Sequence, residues 1–322
     1  MLSWKANGLI CRGVAVLILF LSMVSQVSAD TNVSGLISSN TTWTQSASPY
    51  IVTGNILVNG GVNLTIQPGV TVKFQNGRSL QIDGTLVARG TGTNKITFTS
   101  NNPTPTAGDW GYIIFSDSST DATYDVNGGY VSGSIMEHVV VEYAGGVSVD
   151  NNGALRLNNA HPFINYATIS NNAASGICAW DVTGNVKVMN TTVTNNAAFG
   201  RAAEISIFGK SGFWTVDGSA TIIESKISNY HAESAGGSGI YATLNNVKIS
   251  NNEASKNAVI SGNGGGMYVS GVYAEIHSNF VYDNSTDALY PGCGLGSGED
   301  LRDQYEVHDG KDHTLIEVIL GS

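Results

Sequence analysis

The apolar and polar positions of this chain follow a phrase that recurs from its middle onward. In four copies, ATISNN (167–172), TTVTNN (191–196), SKISNY (225–230) and VKISNN (247–252), an apolar residue alternates with hydroxyl or charged residues and is followed by asparagine. The central apolar positions align as one column: Val141, Ile169, Val193, Ile227, Ile249 and Val281. Alternation of this kind is typical of β-strands with one buried side. A repeat that cannot cover its own apolar side predicts stacked coils, each covering the next.

A second apolar column follows glycine-rich segments. Its members are Leu155, Ile177, Ile205, Ile240 and Met267. Successive members are separated by unequal numbers of residues, between 22 and 35. Strands can stay in register while the turns between them vary, so this spacing favours an all-β helix of strands over a rigid short-period solenoid. Coils of this length predict roughly eight to ten coils.

The asparagines after the strands suit a turn. We expect Asn171, Asn195, Asn229 and Asn251 to stack on one another there. Asparagine tolerates left-handed backbone geometry and forms local hydrogen bonds, so this ladder is interpreted as a structural device.

Several segments resemble coils of a known family. LTIQPGVTVKF (residues 64–74), LQIDGTLVARG (80–90) and ITF (96–98), followed by GDWGYIIF (108–115), are similar to the opening coils of secreted right-handed parallel β-helix repeat proteins. HPFINYATISNN (161–172) is similar to their later coils. The resemblance implies a single-stranded, right-handed β-helix of the pectate-lyase-like superfold. That superfold carries polysaccharide lyases, hydrolases, esterases, adhesins and non-catalytic carbohydrate-binding modules, so it leaves the activity open.

The chain divides into four predicted parts. Residues 1–29 have a charged start, a short apolar run and a small-residue cleavage site, which indicates a signal peptide, with a retained membrane anchor as the alternative. Residues 30–49 are predicted to cap the exposed end of the helix, which spans 50–290. The densely charged segment 291–322 is a tail, a cap or the edge of a longer protein. The prediction is a secreted or cell-surface protein without a transmembrane segment after cleavage.

The composition of the chain limits the class of ligand that it can bind and the way in which it is stabilised. Charged residues make up 12% of the chain and the formal net charge is -10, which disfavours nucleic acid. Only Cys178 and Cys293 follow the predicted signal peptide, too few for a disulfide framework.

Charged residues on the first column's strands are the candidate catalytic groups. Alternation places Lys226 and Lys248 outward, stacked as like charges, with Glu224 close enough to relieve them. Such a face could bind a sugar carboxylate, and a lysine of lowered pKa could act as the base of a lyase. The simpler interpretation is a solvated face of ion pairs.

A second candidate group combines a histidine with a carboxylate. His138 and Glu142 are four residues apart and are predicted on the same outward side of a strand, with His161 at the start of the next coil. An acid/base pair or a surface hydrogen bond would both fit. Tyr166 is a candidate platform for a sugar.

Two loops leave the regular pattern. The first contains Asp117, Asp121 and Asp125, whose oxygens suit Ca²⁺, although their spacing is not that of a calcium hand and a solvated acidic loop is the alternative. The second contains Phe213 and Trp214, which either stack on a sugar ring or fold back as a lid. No cofactor is predicted apart from this candidate Ca²⁺ site.

Three functions remain open. The first is a non-catalytic module that binds polysaccharide or a cell-surface glycan, or mediates adhesion. The second is a polysaccharide lyase or hydrolase acting on an acidic polysaccharide. The third is a structural N-terminal module of a larger envelope protein. Neither the asparagine-threonine-aspartate motif of β-helix polygalacturonases nor the tryptophan-isoleucine-aspartate-histidine run of many pectate lyases occurs, which favours the first.

Overall fold

The chain forms a parallel β-helix, as the sequence predicts. The computed structural model describes residues 30–197, 203–209, 218–229, 231–232, 239–259, 266–271, 273–282, 285–286 and 316–320. The predicted signal peptide, Phe213, Trp214 and Cys293 lie outside these residues. Each coil contributes a strand to three faces in turn, called face 1, face 2 and face 3. Among the described residues no helix is long and apolar enough to cross a membrane.

The strands of each face pair in parallel with those of the neighbouring coils. Thr31–Ile37 and Tyr50–Val58 run along face 1 and continue into face 2. Face 1 continues with Thr71–Phe74, Ile96–Ser100, Val139–Glu142, Thr168–Ser170, Thr192–Thr194, Lys226–Ser228, Glu253–Ser255 and Phe280–Tyr282. Face 2 continues with Leu80–Ile82, Ile113–Phe115, Gly153–Asn158, Ser175–Val182, Ile205–Gly209, Ile240–Thr243, Met267–Gly271 and Ile316–Leu320. Face 3 consists of Thr41–Trp43, Asn63–Ile66, Thr85–Arg89, Ile135–Glu137, Phe163–Asn165, Asn185–Met189, Ser219–Ile223, Asn246–Ser250 and Tyr273–His277.

A few elements lie outside the three faces. Thr123–Tyr124 and Tyr130–Ser132 form an antiparallel hairpin that leaves the coil between face 2 and face 3. A separate, short three-stranded sheet contains His231–Ala232, Ala258–Val259 and Ser285–Thr286, and Gln45–Ala47 forms a turn of 3₁₀-helix. Residues 30–49, for which we predicted a cap, add a strand to every face. Within the predicted tail, residues 316–320 pair with the preceding strand of face 2.

The core runs along the axis and confirms the second apolar column. Leu155, Ile177, Ile205, Ile240 and Met267 are register partners on successive strands of face 2, and all are fully buried. One member of the first column is wrong. Ile227 of face 1 pairs with Ala254, whereas Ile249 belongs to face 3 and pairs with Ile222. The prediction failed because the same phrase occurs on two different faces.

Two corners of the helix share one local geometry. The corner from face 3 to face 1 and the corner from face 1 to face 2 each turn through a residue with positive φ. Asn171, Asn195 and Asn229 occupy the second corner, with φ of 58°, 57° and 59°. Asn251 belongs to the first corner, so the predicted ladder of four asparagines is wrong at this member. A left-handed residue bends the chain sharply, and asparagine adopts that conformation more readily than most residues.

Candidate functional site

The two candidate lysines lie on different faces. Lys226 is on face 1, where its Nζ donates to Glu253 Oε1 at 2.9 Å. Lys248 is on face 3, where its Nζ donates to Glu275 Oε1 at 2.8 Å. The predicted stack of like charges is therefore wrong. Glu224 is an exposed corner residue with φ of 53°. Each lysine takes part in an ion pair with the carboxylate of the next coil.

The predicted pair of His138 and Glu142 is also separated. His138 occupies the corner between face 3 and face 1, with φ of 49°, and is not a strand residue. Glu142 lies on face 1 and accepts a hydrogen bond from the Thr99 hydroxyl at 2.9 Å. The prediction that the two side chains share one side of a strand is therefore wrong.

His161 is buried and is held by hydrogen bonds. Its Nε2 accepts the Gly184 N–H at 2.9 Å, so Nδ1 carries the proton that bonds Asp121 Oδ2 at 2.8 Å. The His161 backbone N–H donates to the other oxygen of the same carboxylate. These contacts attach the excursion loop to the turn before face 3, which is a structural role.

The three aspartates predicted to bind Ca²⁺ have separate partners. Asp117 accepts a hydrogen bond from the Asn159 amide at 2.6 Å, and Asp121 bonds His161. Asp125 accepts the backbone N–H groups of residues 127 and 129 in its own turn. Within the described ranges, no three His, Cys, Asp or Glu side chains are grouped to hold a metal ion.

The outer surface of face 2 contains a site that the sequence analysis missed. Arg156 projects outward between the core residues Leu155 and Leu157, yet only 8% of it is exposed. Its guanidinium carbon lies 4.5 Å from the ring centre of Tyr112 and 5.0 Å from that of Trp180. Burial lowers the pKa of Arg156, and nearby Tyr112 partly opposes that shift.

Backbone carbonyls fix the position of this arginine. Its Nη2 donates to the Asp150 carbonyl at 2.7 Å and its Nε to the Asn151 carbonyl at 3.2 Å. Cys178, its register partner, is a buried free thiol whose pKa burial raises to about 12. The two carbonyls therefore fix the guanidinium, which in turn holds the Trp180 ring in place.

Half-buried aromatic rings continue this surface along successive coils. Trp180, Phe208 and Tyr241 each occupy an outward position on a strand of face 2. The ring centres of Phe208 and Tyr241 are 5.3 Å apart. We call Tyr112, Arg156, Trp180, Phe208 and Tyr241 the face 2 strip. Adjacent strands lie about 4.8 Å apart. The strip crosses successive coils with a lateral shift, because Trp180 pairs with Asn158 and not with Arg156, and Tyr241 pairs with Ser206 and not with Phe208.

A polar depression lies beside the first residue of the strip. It has a volume of about 390 Å³ and is lined by Gln75, Asn76, Arg78, Asn101 and Asn102. The Arg78 carbonyl accepts the N–H of Gly111, which directly precedes Tyr112. The strip therefore continues into a surface of amide and guanidinium groups.

A sequence signal for the strip did exist. Arg156 and Tyr241 directly follow members of the second apolar column, whose register the sequence predicted correctly. Trp180 and Phe208 lie three positions after members of that column, which alternation also places outward. The predicted outward candidates all belong to the first column's strands, whereas the strip lies on the strands of the second column. Of the predicted contact residues, the structure brings together Tyr166 and His138, whose rings stack at 4.7 Å.

Comparison with known proteins agrees with the fold. A family model described as a pectate-lyase like beta helix domain matches residues 35–190. These residues supply the strands of the first coils on all three faces. Residues 35–190 are therefore similar to pectate-lyase-like β-helix domains, and the same strand order continues after them.

A curated relative shares a shorter segment. "Protein bark beetle" of Drosophila melanogaster is 40% identical over 83 residues, which is 26% of this chain. The aligned segment covers 3% of that protein, so the chain spans only a small part of its relative. No solved structure matches the chain.

Proposed function

We propose that this protein is an exported, non-catalytic module that binds a neutral polysaccharide or cell-surface glycan along the face 2 strip. The observation that carries the proposal is the row of half-buried rings of Trp180, Phe208 and Tyr241 on the outer side of a regular sheet. The core lies on the opposite side of these strands, so packing within the helix does not require rings there.

The chemistry of the strip fits a sugar chain. Aromatic rings offer flat apolar area with a polar edge, which suits the faces and hydroxyls of pyranose rings. The coil spacing of about 4.8 Å is comparable to the length of one sugar ring, so successive rings can contact successive sugars. Arg156 fixes the orientation of Trp180 before any ligand arrives, which reduces the entropy lost on binding.

Charge favours a neutral ligand. The formal net charge of the chain is -10, and long-range repulsion opposes the approach of a polyanion. The candidate catalytic groups support binding over turnover, because Lys226 and Lys248 lie on different faces in separate ion pairs.

Calorimetric and fluorescence titration of the purified full chain tests the proposal. The probes are cellohexaose and mannohexaose as neutral chains and hexagalacturonate as an acidic chain. We expect Trp180→Ala to weaken binding of a neutral chain about tenfold, since an aromatic contact contributes about 0.5–1.5 kcal/mol beyond its buried area. Phe280→Ala, which removes an exposed ring from face 1, is the matched control and should bind as the wild type does.

Two results would contradict this function. Unchanged affinity in Trp180→Ala would exclude the strip as the binding surface. New unsaturated chain ends, detected by their ultraviolet absorbance after incubation with hexagalacturonate, would identify a lyase instead.

A further inference from the structure

The corner between face 3 and face 1 contains two aromatic side chains that its geometry does not need. The corner residues of six successive coils all have positive φ: His138, Tyr166, Asn190, Glu224, Asn251 and Ser278. Asn190 and Asn251 have the residue type that adopts this conformation most readily after glycine. At His138 and Tyr166, both with φ of 49°, a ring occupies a strained backbone position. Strain of this kind concentrates at functional sites.

These two rings form an exposed stack. Their centres are 4.7 Å apart with an angle of 8° between the planes, and Tyr166 is 46% exposed. Gly90 is the corner residue of the preceding coil. A Cβ atom there would approach the His138 carbonyl oxygen within 2.5 Å, which excludes any side chain. No corner side chain of the preceding coil therefore covers the imidazole.

A hydrogen-bonded ladder of polar side chains runs beside the stack. The Arg89 Nη2 atom lies 2.8 Å from Glu137 Oε2, and Glu137 Oε1 accepts the Asn165 amide at 2.9 Å. The Asn190 amide in turn donates to Asn165 Oδ1 at 3.0 Å. These bonds link four coils and fix donors and acceptors in one row. The positive charge of Arg89 is balanced by the negative charge of Glu137. The ladder therefore suits a ligand with hydroxyl groups better than an ion.

We propose that this ridge, defined by His138, Tyr166, Arg89, Glu137, Asn165 and Asn190, is a second contact site for a neutral sugar chain. The ridge lies at the corner of faces 1 and 3, whereas the strip lies on face 2. A protein with binding sites on two sides can bridge two glycan chains. Once one site has bound, the second binds at a high effective concentration of glycan, so two weak contacts together hold the protein firmly. The class of ligand rests on the proposed function, but the site itself does not.

Asparagine substitutions test the ridge without disturbing the corner. His138→Asn and Tyr166→Asn place at these positions the residue that Asn190 and Asn251 already provide in the same column. The double variant should keep or raise the unfolding midpoint because it relieves backbone strain. Glu224→Asn makes the same change in the same column away from the stack, and it serves as the control.

Stoichiometry distinguishes the ridge from the strip. In calorimetry with cellohexaose and mannohexaose, we expect the wild type and Glu224→Asn to bind two molecules of at least one of them. The double ridge variant should bind one, and Trp180→Ala should bind one with the affinity of the wild type and a second about tenfold more weakly. Titration should shift an imidazole carbon-bound proton signal that is missing in His138→Asn, and this shift should persist in Trp180→Ala.

Each result has a clear consequence. Two bound molecules in the double ridge variant, or an unmoved His138 signal with both neutral chains, overturns the ridge. Loss of one molecule in the ridge variant with no change in Trp180→Ala supports the ridge and contradicts the strip. Absence of binding by either neutral chain overturns both proposals.

Discussion

At the residue scale, the second asparagine of each repeated pair connects the coils. Asn172 Oδ1 accepts the Ala144 N–H at 2.7 Å, and its Nδ2 donates to Asn196 Oδ1 at 2.7 Å. Asn196 in turn donates to both carboxyl oxygens of Glu204. All three polar side chains are buried, and each bond satisfies a group that water cannot reach. The conspicuous first asparagine turns the chain, while the second joins neighbouring coils.

Glu204 makes the end of this ladder sensitive to pH. The carboxyl group is fully buried, and burial raises its pKa well above the usual range, although hydrogen bonds from Asn196 act in the opposite direction. The folded state thus favours the protonated acid. Its contribution to stability is complete below the unfolded-state pKa near 4.5 and is lost as pH rises through the folded-state value.

Glu204→Gln should remove this pH dependence. We expect its free energy of unfolding to stay level as pH rises, whereas that of the wild type falls, because no buried carboxylate has to form in the variant. Denaturant titrations between pH 4 and pH 8 measure how the free energy of unfolding changes with pH in the wild type and in Glu204→Gln. Proton linkage relates this slope to the difference in pKa between the folded and unfolded states. Glu224→Gln, an exposed corner carboxyl, should keep the wild-type slope. Equal slopes in wild type and Glu204→Gln would show that Glu204 does not titrate as described.

At the element scale, the sequence predicted strands and fold better than it predicted register between faces. The column through Ile205 was correct because each glycine-rich segment marks one strand of face 2. Ile249 was misplaced because both corners use a strand, a left-handed residue and a buried polar residue in the same order. Local patterns cannot distinguish two corners that share one geometry, and Lys248 was assigned to the wrong face for the same reason.

The candidate sites depended on this register. Tyr166 and His138 lie together because a corner residue stacks on its counterpart in the next coil. The ion pair of Lys226 with Glu253 could be predicted only if Glu253 were known to begin the next strand of face 1. Arg156 could not be recognised from its own strand, since loop carbonyls and two rings from other coils create its surroundings.

The hairpin between face 2 and face 3 packs its two tyrosines against Phe163. Tyr124 meets that ring edge-on at 5.6 Å, and Tyr130 lies parallel to it at 6.2 Å. Lys187 Nζ lies 4.2 Å from the Tyr124 ring centre and donates to the Gly128 carbonyl at 2.9 Å. The tyrosines differ in their hydroxyl groups. That of Tyr130 donates to the Gly133 carbonyl, whereas that of Tyr124 is buried and has no hydrogen-bond partner in the described chain.

This difference predicts opposite effects for the same substitution. Tyr124→Phe should raise the free energy of unfolding by about 1 kcal/mol, because an unsatisfied buried hydroxyl is removed. Burial, with a smaller contribution from Asp121, raises the pKa of Tyr124, which agrees with a hydroxyl shielded from water. Tyr130→Phe should lower the free energy of unfolding by about 1 kcal/mol through its lost hydrogen bond. Denaturant unfolding measures the change in free energy of unfolding for each variant. Changes of the same sign would contradict the assignment of an unsatisfied hydroxyl to Tyr124 and a satisfied one to Tyr130.

At the scale of the whole molecule, the aromatic part of the core is distributed unevenly along the axis. Among the described residues, the fully buried aromatic side chains all lie between residues 74 and 115. They include Trp110 and Phe74, whose rings stack at 4.1 Å. Later coils fill the same interior with aliphatic side chains such as Val193, Ile227 and Ala254. Because each coil contacts mainly its neighbours, stability should vary along the helix.

Amide hydrogen exchange should therefore show a gradient of protection. Residues 64–115 should exchange most slowly and the coils after residue 220 most rapidly, because opening an end requires breaking contacts with only one neighbour. Phe98→Ala should lower the free energy of unfolding by about 3–5 kcal/mol and speed exchange along the whole helix, since it removes a fully buried ring from the aromatic part of the core. Ile227→Ala, a change at an equally buried position, should speed exchange only in the later coils. Uniform exchange in the wild type, or a response to Ile227→Ala that extends into residues 64–115, would mean that the helix unfolds as one cooperative unit despite its uneven core.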